Sequence, residues 1–367
     1  MRPNKDTVVD NRLRKMEITM KTKIVNIEAL DEAALIDLEA AASLIRAGGT
    51  VVFPTETVYG LGADARNPLA IKKIFAAKGR PDDNPLIVHI AGLDEVKPLV
   101  ANIPAKAEML MKVFWPGPLT IVMQKAVTIP TEVTGGLNTV GVRFPDHPIA
   151  QAFIKMAGCP IAAPSANRSG RPSPTQGKHV LEDLEGRVDG IILSSDAELG
   201  LESTVIDMTV EPPVVLRPGD ITLAELREVL GDVEVSSNVT QNVVPEKVSS
   251  PGMKYTHYSP KGELVVVKGT PEEIREKITR ALSHHKGKPM TIGVLASDET
   301  LDFYREGFII SLGSRNDPKE MSKNLFSRLR TFDELGVEKI YAEDIPLNNE
   351  TLALINRLYK AAGYAFI

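Results

Sequence analysis

The sequence predicts an α/β protein in two unequal parts: a twisted mixed-sheet domain, followed by a smaller Rossmann-like parallel α/β domain. Three observations predict it. Over residues 21–235 strand and helix patterns are mixed without regular alternation, which suits a mixed sheet. Over 236–261 the composition changes. "SSNVTQNVVPEKVSSPGMKYTHYS" is polar and punctuated by Pro, Gly and Ser, as a linker is. Over 262–367 strand and helix patterns alternate, and βα units in series imply a parallel sheet. Residues 1–20 are read as a polar, charged tail without a secretory pattern, with Met16 or Met20 as alternative starts.

Local signals place the elements. Residues 31–47 are rich in Ala and Leu and stop at Gly48 and Gly49, the pattern of a helix and its end. "TVVF" is a short buried strand ended by Pro54. Asn67 followed by Pro68 is a cap and a first-turn proline, opening a helix that ends before Gly79. "LIVHIA" reads as a strand and 104–115 as a helix stopped by Pro116. "LTIVM" and "TVGVRF" are strands, 148–157 is a helix, and "GIIL", "STVID" and "VVLR" are further strands. Beyond the linker, "ELVVVKG", "MTIGVLA", "GFIISLG" and "EKIYAED" are strands. Helices are expected over 271–283, 297–306, 318–335 and 349–362.

Composition excludes several classes. Hydrophobic residues make up 43% of the chain, and no apolar run approaches the ~20 residues of a membrane helix, so no membrane partner is expected. The single Cys159 lies in apolar "MAGCPIAA"; it fits a buried, inert thiol and a cytoplasmic, reducing location. The net charge of −5 argues against wholesale nucleic-acid binding. The six His lack HExxH or CxxC company, so no protein-borne metal site is expected. "GLGADA" fits a dinucleotide fingerprint, but the preceding strand ends at Pro54 and the next helix waits for Pro68. No GxxxxGK[ST] occurs, so any ATP is held without a P-loop.

Four loops carry the chemistry: "PTETVYGLGADA", "KGRPDDNPL", "PSANRSGRPSPT" and "LRPGD". Each sets Pro or Gly beside hydroxyl, amide or cationic groups near an element's end, where loops position ligand donors. Lys78, Arg80, Arg143, Arg171 and Arg217 supply positive charge. Thr55, Thr57, Ser165, Asn167, Ser203 and Thr204 supply neutral hydrogen bonds. That inventory suits a phosphorylated, carboxylate-bearing ligand and lacks a strong base. Each feature has a plainer reading alone. "KGR" also fits a solvated helix end, Arg143 a surface charge, Ser165 and Asn167 turn formers, and His89 a core histidine.

These segments resemble the L-threonylcarbamoyladenylate synthase family. "PTETVYGLGADA", "AKGRPDDNPLIVHI", "WPGPLT", "VGVRFPDHPIA", "PSANRSGRPSPT", "LESTVID" and "VLRPGD" match its YrdC-type domain in order. "GMKYTHYSP" matches the linker of its long, two-domain form. The resemblance covers residues from about 23 to the C-terminus; in the last domain it rests on order and length alone. It implies that L-threonine, bicarbonate or CO2, and ATP give threonylcarbamoyl-AMP and pyrophosphate. The product serves N6-threonylcarbamoyladenosine formation in tRNA by a downstream threonylcarbamoyl transferase. It assigns Thr57, His89, Arg143, Ser165 and Ser203 to threonine. It assigns Lys78, Arg80, Asn84, Thr139, Asn167, Thr175, Arg217 and Tyr258 to ATP, and brings Mg2+ in on the triphosphate. Met, two Tyr and a His clustered in "GMKYTHYSP" are more than a passive tether needs, so the linker is also read as a lid over the nucleotide. Two alternatives stand beside the resemblance. One is a carbamoyl-adenylate former of hydrogenase maturation, which should carry zinc-finger cysteines. The other is a double-stranded RNA-binding module; weak RNA binding remains a partner expectation.

Overall fold

A computed structural model describes residues 20–240, 257–285 and 291–367. Eleven strands build the larger sheet: β1 (Lys23–Asn26), β2 (Val51–Phe53), β3 (Gly60–Asp64), β4 (Ile87–His89), β5 (Leu119–Gln124), β6 (Thr139–Arg143), β7 (Ile161–Ala163), β8 (Gly190–Leu193), β9 (Thr204–Asp207), β10 (Val214–Arg217) and β11 (Glu234–Val235). Their order is β1-β8-β2-β3-β7-β4-β6-β5-β9-β10-β11. Pairs β2–β3, β3–β7, β4–β7, β5–β6 and β9–β10 are antiparallel; β1–β8, β2–β8, β4–β6, β5–β9 and β10–β11 are parallel. "GLGADA" therefore lies largely in strand β3 and opens no helix.

Helix Glu32–Arg46 begins where the Asp31 side chain accepts from the Ala34 N–H, a side-chain N-cap. It buries Ala34, Leu38, Ala41, Ala42 and Ile45 on one stripe, and packs on helix Pro148–Ala157. Together they cover one face of the sheet with Phe53 and Phe153. The other face carries a larger core that includes Tyr59, Ile71, Leu110 and Trp115. Helix Pro68–Lys78 is capped by Asn67 and ended by Gly79 at φ 62°, a left-handed stop that glycine adopts without strain. That turn puts Lys78 and Arg80 on one cavity; the two do not lie on an extended segment.

The second sheet holds β12 (Glu263–Val267), β13 (Ile292–Ala296), β14 (Phe308–Ser311) and β15 (Lys339–Glu343), all parallel, in the order β12-β15-β13-β14. The C-terminal Phe366 bridges Val266 at the edge strand. The helix expected over 297–306 is only a 3-10 turn, Leu301–Phe303. Ser297 and Thr300 instead turn their hydroxyls onto the Glu343 carboxylate, so side-chain bonds compete with the helix.

The two sheets are locked by buried charge. Arg330, 1% exposed, donates from helix Pro318–Glu334 to the Pro172 carbonyl (3.1 and 2.6 Å) and pairs with Asp183 at 2.6 Å. Gly200 sits so close that a Cβ there would come within 2.4 Å of Lys323 Cα.

Candidate functional site

A cavity opens between the ends of β2, β4, β6 and β7 and the loop that follows β7. Nine of the thirteen expected site residues line it: Thr57, His89, Arg143, Ser165, Lys78, Arg80, Asn167, Arg217 and Tyr258. They come from segments up to about two hundred residues apart in sequence. The strand register explains part of this convergence, because β4 pairs His89 directly with Arg143 of β6.

Arg143 is nearly buried at 4% exposure. Its Nη1 donates to Thr57 Oγ1 at 2.9 Å, its Nε to the Gly117 carbonyl at 3.3 Å, and its Nη2 lies 2.7 Å from Glu56. Thr57 and Thr55 hydroxyls share a 2.9 Å hydrogen bond. The His89 Nδ1 faces the Ile87 carbonyl at 3.2 Å. Burial, then the Arg143 charge, depresses the His89 pKa to about 3, so its imidazole is neutral and a weak base. Ser203 lies just behind the cavity wall, where its Oγ pairs with Thr120 Oγ1 at 2.8 Å and accepts from Arg217 Nη2 at 3.0 Å.

Lys78 is not a solvated helix end. It is 4% exposed, and its Nζ donates to the Ser165 and Asn167 carbonyls. Burial, reinforced by Arg80, drives its pKa well below the ordinary lysine value. Ser165 Oγ donates to Asn167 Oδ1 at 2.5 Å, and the Asn167 amide donates to the Arg168 and Arg171 carbonyls. The loop of hydroxyls and amides after β7 is thus stapled around the buried Lys78 amino group. Arg80 Nη2 holds the Pro85 carbonyl at 3.1 Å. Asn84 is fully buried with neither amide atom hydrogen-bonded.

Besides Ser203, five expectations are placed elsewhere. Asn84 and Thr204 are buried and do not line the cavity. Thr175 is buried outside the cavity. Thr139 lines a neighbouring small apolar cleft with Ile87 and Val140. Arg171 turns away from the site to Asp183 and Glu182, with Asp333 at 3.5 Å. Those carboxylates belong to helices Gly177–Leu184 and Pro318–Glu334 and capture the side chain.

The linker reaches the site through the part of it that is described. His257 and Tyr258 line the cavity, while Tyr255 and the rest of 241–256 lie outside the described residues. Tyr258 has φ 67°, uncommon for a non-glycine residue. Its ring stacks on Phe326 of the second domain at 5.0 Å. Burial, then Glu202, raises its pKa to about 12. With Tyr258 in place the cavity has only about 60 Å3 of free volume, far below the roughly 300–1,000 Å3 of ligand pockets.

The sequence reading overlooked Glu202 and Ser173, although both fall within the quoted motifs. Glu202 lines the cavity, accepts from Ser173 Oγ at 2.5 Å, and accepts from Arg357 Nε of the second domain at 2.8 Å. Glu56 was also passed over, although "PTETVYG" contains it. Arg357 had no local signal.

The chain matches two family profiles in succession. Residues 43–219 match the one described as telomere recombination, and 221–363 the one described as threonylcarbamoyl-AMP synthase, C-terminal domain. It is 45% identical over 346 residues to the threonylcarbamoyl-AMP synthase of Pyrococcus abyssi (strain GE5 / Orsay), covering 94% of this chain and 99% of that one. The same identity holds over 348 residues with the Bacillus subtilis (strain 168) threonylcarbamoyl-AMP synthase, again over 94% and 99%. The crystal structure of P. abyssi Sua5 complexed with L-threonine aligns with a TM-score of 0.89, at 45% identity, over 94% of this chain and 99% of that one. The chain belongs to the threonylcarbamoyl-AMP synthase family.

Proposed function

We propose that the chain is a nucleotidyltransferase that makes threonylcarbamoyl-AMP and pyrophosphate from L-threonine, bicarbonate or CO2, and ATP. One observation carries the reading: buried Lys78, Arg143 and Arg217 converge with neutral hydroxyls and amides on one cavity without a strong base. The chemistry asks for that. The threonine amine adds CO2 and loses a proton, giving a carbamate. A carbamate oxygen attacks the α-phosphorus, the new P–O bond forms, and the bond to the pyrophosphate oxygen breaks. The nucleophile is already charged, so the protein's work is orientation and charge stabilisation.

Arg143 then takes the threonine carboxylate, with Thr57, neutral His89, Ser165 and Ser203 completing that half. Lys78, Arg80, Asn84, Asn167, Arg217 and Tyr258 take the nucleotide, with Thr139 and Thr175 at its margin. Among the described residues no group of three or more His, Cys, Asp or Glu forms a metal cage. Mg2+ would travel with the phosphate oxygens. Because the cavity is nearly filled, Tyr258 and His257 withdraw to admit ATP and return to exclude water from a hydrolysable anhydride. The product would pass to a downstream threonylcarbamoyl transferase acting on tRNA. Among the described residues no helix is long and apolar enough to cross a membrane.

The test is pyrophosphate release with ATP, threonine and bicarbonate, omitting each in turn. All three should be required. Release without threonine, or with carbamoyl phosphate replacing threonine and bicarbonate, overturns the reading.

A further inference from the structure

A carboxylate is out of place on the wall of a cavity built to hold a triphosphate. Glu202 is such a carboxylate, 7% exposed and on the cavity wall. The nearby cations of the first domain are committed elsewhere. Arg217 donates to the Ser203 carbonyl and hydroxyl, both at 3.0 Å. Lys78 is held by the Ser165 and Asn167 carbonyls. The direct ion pair to Glu202 comes from the other domain. Arg357 lies on helix Leu352–Ala361, fully buried, with Nε 2.8 Å from Glu202 Oε2. Its Nη1 donates to Asn356 Oδ1 at 3.0 Å, and Asn356 Nδ2 donates to the Val239 carbonyl at the start of the linker at 3.2 Å. The guanidinium carbon is 5.8 Å from the centre of the Tyr258 ring.

We propose that Arg357 is a positioning residue for the nucleotide half of the site: it neutralises Glu202 and holds it on Ser173, so that the second domain sets the affinity for ATP. The inference rests on the nucleotide-binding reading above. An uncompensated buried carboxylate both repels phosphate and is itself costly. Burial acts to raise the Glu202 pKa, yet Arg357 and then Arg217 outweigh it and hold the group below its ordinary range. The other groups that face Glu202 are Tyr258 and His257 from the linker, Lys78 from helix Pro68–Lys78, and Lys360 beside Arg357.

The experiment uses the full chain and equilibrium dialysis of labelled ATP with magnesium, without threonine, and of labelled threonine separately. Arg357→Met should weaken ATP binding by about tenfold or more and leave threonine binding within about twofold. Adding Glu202→Gln to it should restore most ATP affinity, because the unpaired charge is gone. If Arg357→Met fails to fold, the double variant decides: near-normal ATP binding supports the proposal, weak binding overturns it. Unchanged ATP binding in folded Arg357→Met, or a double variant as weak as the single one, also overturns it. A wild-type chain that binds no ATP fails the functional reading itself, which is a different outcome.

Discussion

The polar cluster at the carboxyl ends of β13 and β15 and the cavity of the larger sheet use similar side chains to opposite ends. In the cluster, Glu343 accepts from Ser297 N–H and Oγ (both 3.1 Å), Thr300 Oγ1 (2.8 Å), Tyr304 OH (2.6 Å) and Arg315 Nη2 (2.9 Å). Its own chain satisfies it. Beside the cavity, where the lining Arg80 donates from Nη2 to the Asn84 carbonyl at 3.3 Å, the buried Asn84 amide has no hydrogen bond at either atom, and Arg143 and Lys78 line the free volume. Both regions bury charge, so burial alone does not mark a site. Converging polar groups left incomplete do, because an unsatisfied buried group is expensive unless a ligand completes it.

The comparison can be broken most directly at Lys78. Lys78→Met should lower turnover by about 100-fold or more, the scale of losing a positioned charge. Its melting temperature should fall too, since two buried carbonyls lose their donor at about 1–3 kcal/mol each. A variant with near-normal turnover would make the lysine a mere staple of its loop.

Arg143→Ala comes next, with an expected rise in threonine KM of about tenfold or more, the value of a charge-assisted pair. It also strands Glu56, at about 3–5 kcal/mol of stability. Adding Glu56→Gln should recover the melting temperature and leave the threonine KM high. If the KM recovers as well, Arg143 serves Glu56 and not the substrate.

Glu343→Gln sharpens the contrast from the other side. Stability should fall by about 1–3 kcal/mol, while turnover of the folded protein stays within about twofold of wild type. Collapse of turnover with the fold intact would give the cluster a role in the chemistry.

The smallest effect concerns His89. Its pKa of about 3, set by burial and then by Arg143, keeps it neutral, so threonine KM should stay flat between pH 6 and 8. Stability carries the opposite signature. His89, His179 and His257 are all held near 3 by burial first, whereas unfolded histidine titrates near 6.5. Protonation therefore favours unfolding, and stability should be full above about pH 6.5 and decline as the pH falls toward 3. A melting temperature independent of pH between 7 and 5 would contradict this.

Much of the fold was legible because its signals are local. The Asn67–Pro68 start, the Gly79 stop and the helix Pro148–Ala157 fall where capping residues and apolar spacing put them. The helix expected over 297–306 failed because its hydroxyls found a carboxylate some forty residues away, Glu343, that no window on the sequence contains. In the site, cations and hydroxyls were legible by type and loop. Glu202 was not, because a lone acid among basic loops carries no sign of which way it points.

By itself the sequence determined most of the element types, the two-sheet division, the family motifs and the stock of donors. These depend on turns, caps and periodicities that span a few residues. Only the tertiary structure decided that Arg171 pairs with Asp183 and Glu182, that Glu202 belongs to the cavity wall, and that Arg330 reaches back across 158 positions to the Pro172 carbonyl and Arg357 across 155 to Glu202. A long-range ion pair forms where packing of two sheets brings its partners within about 4 Å. That distance is set by every core contact together, and no single stretch of sequence records it.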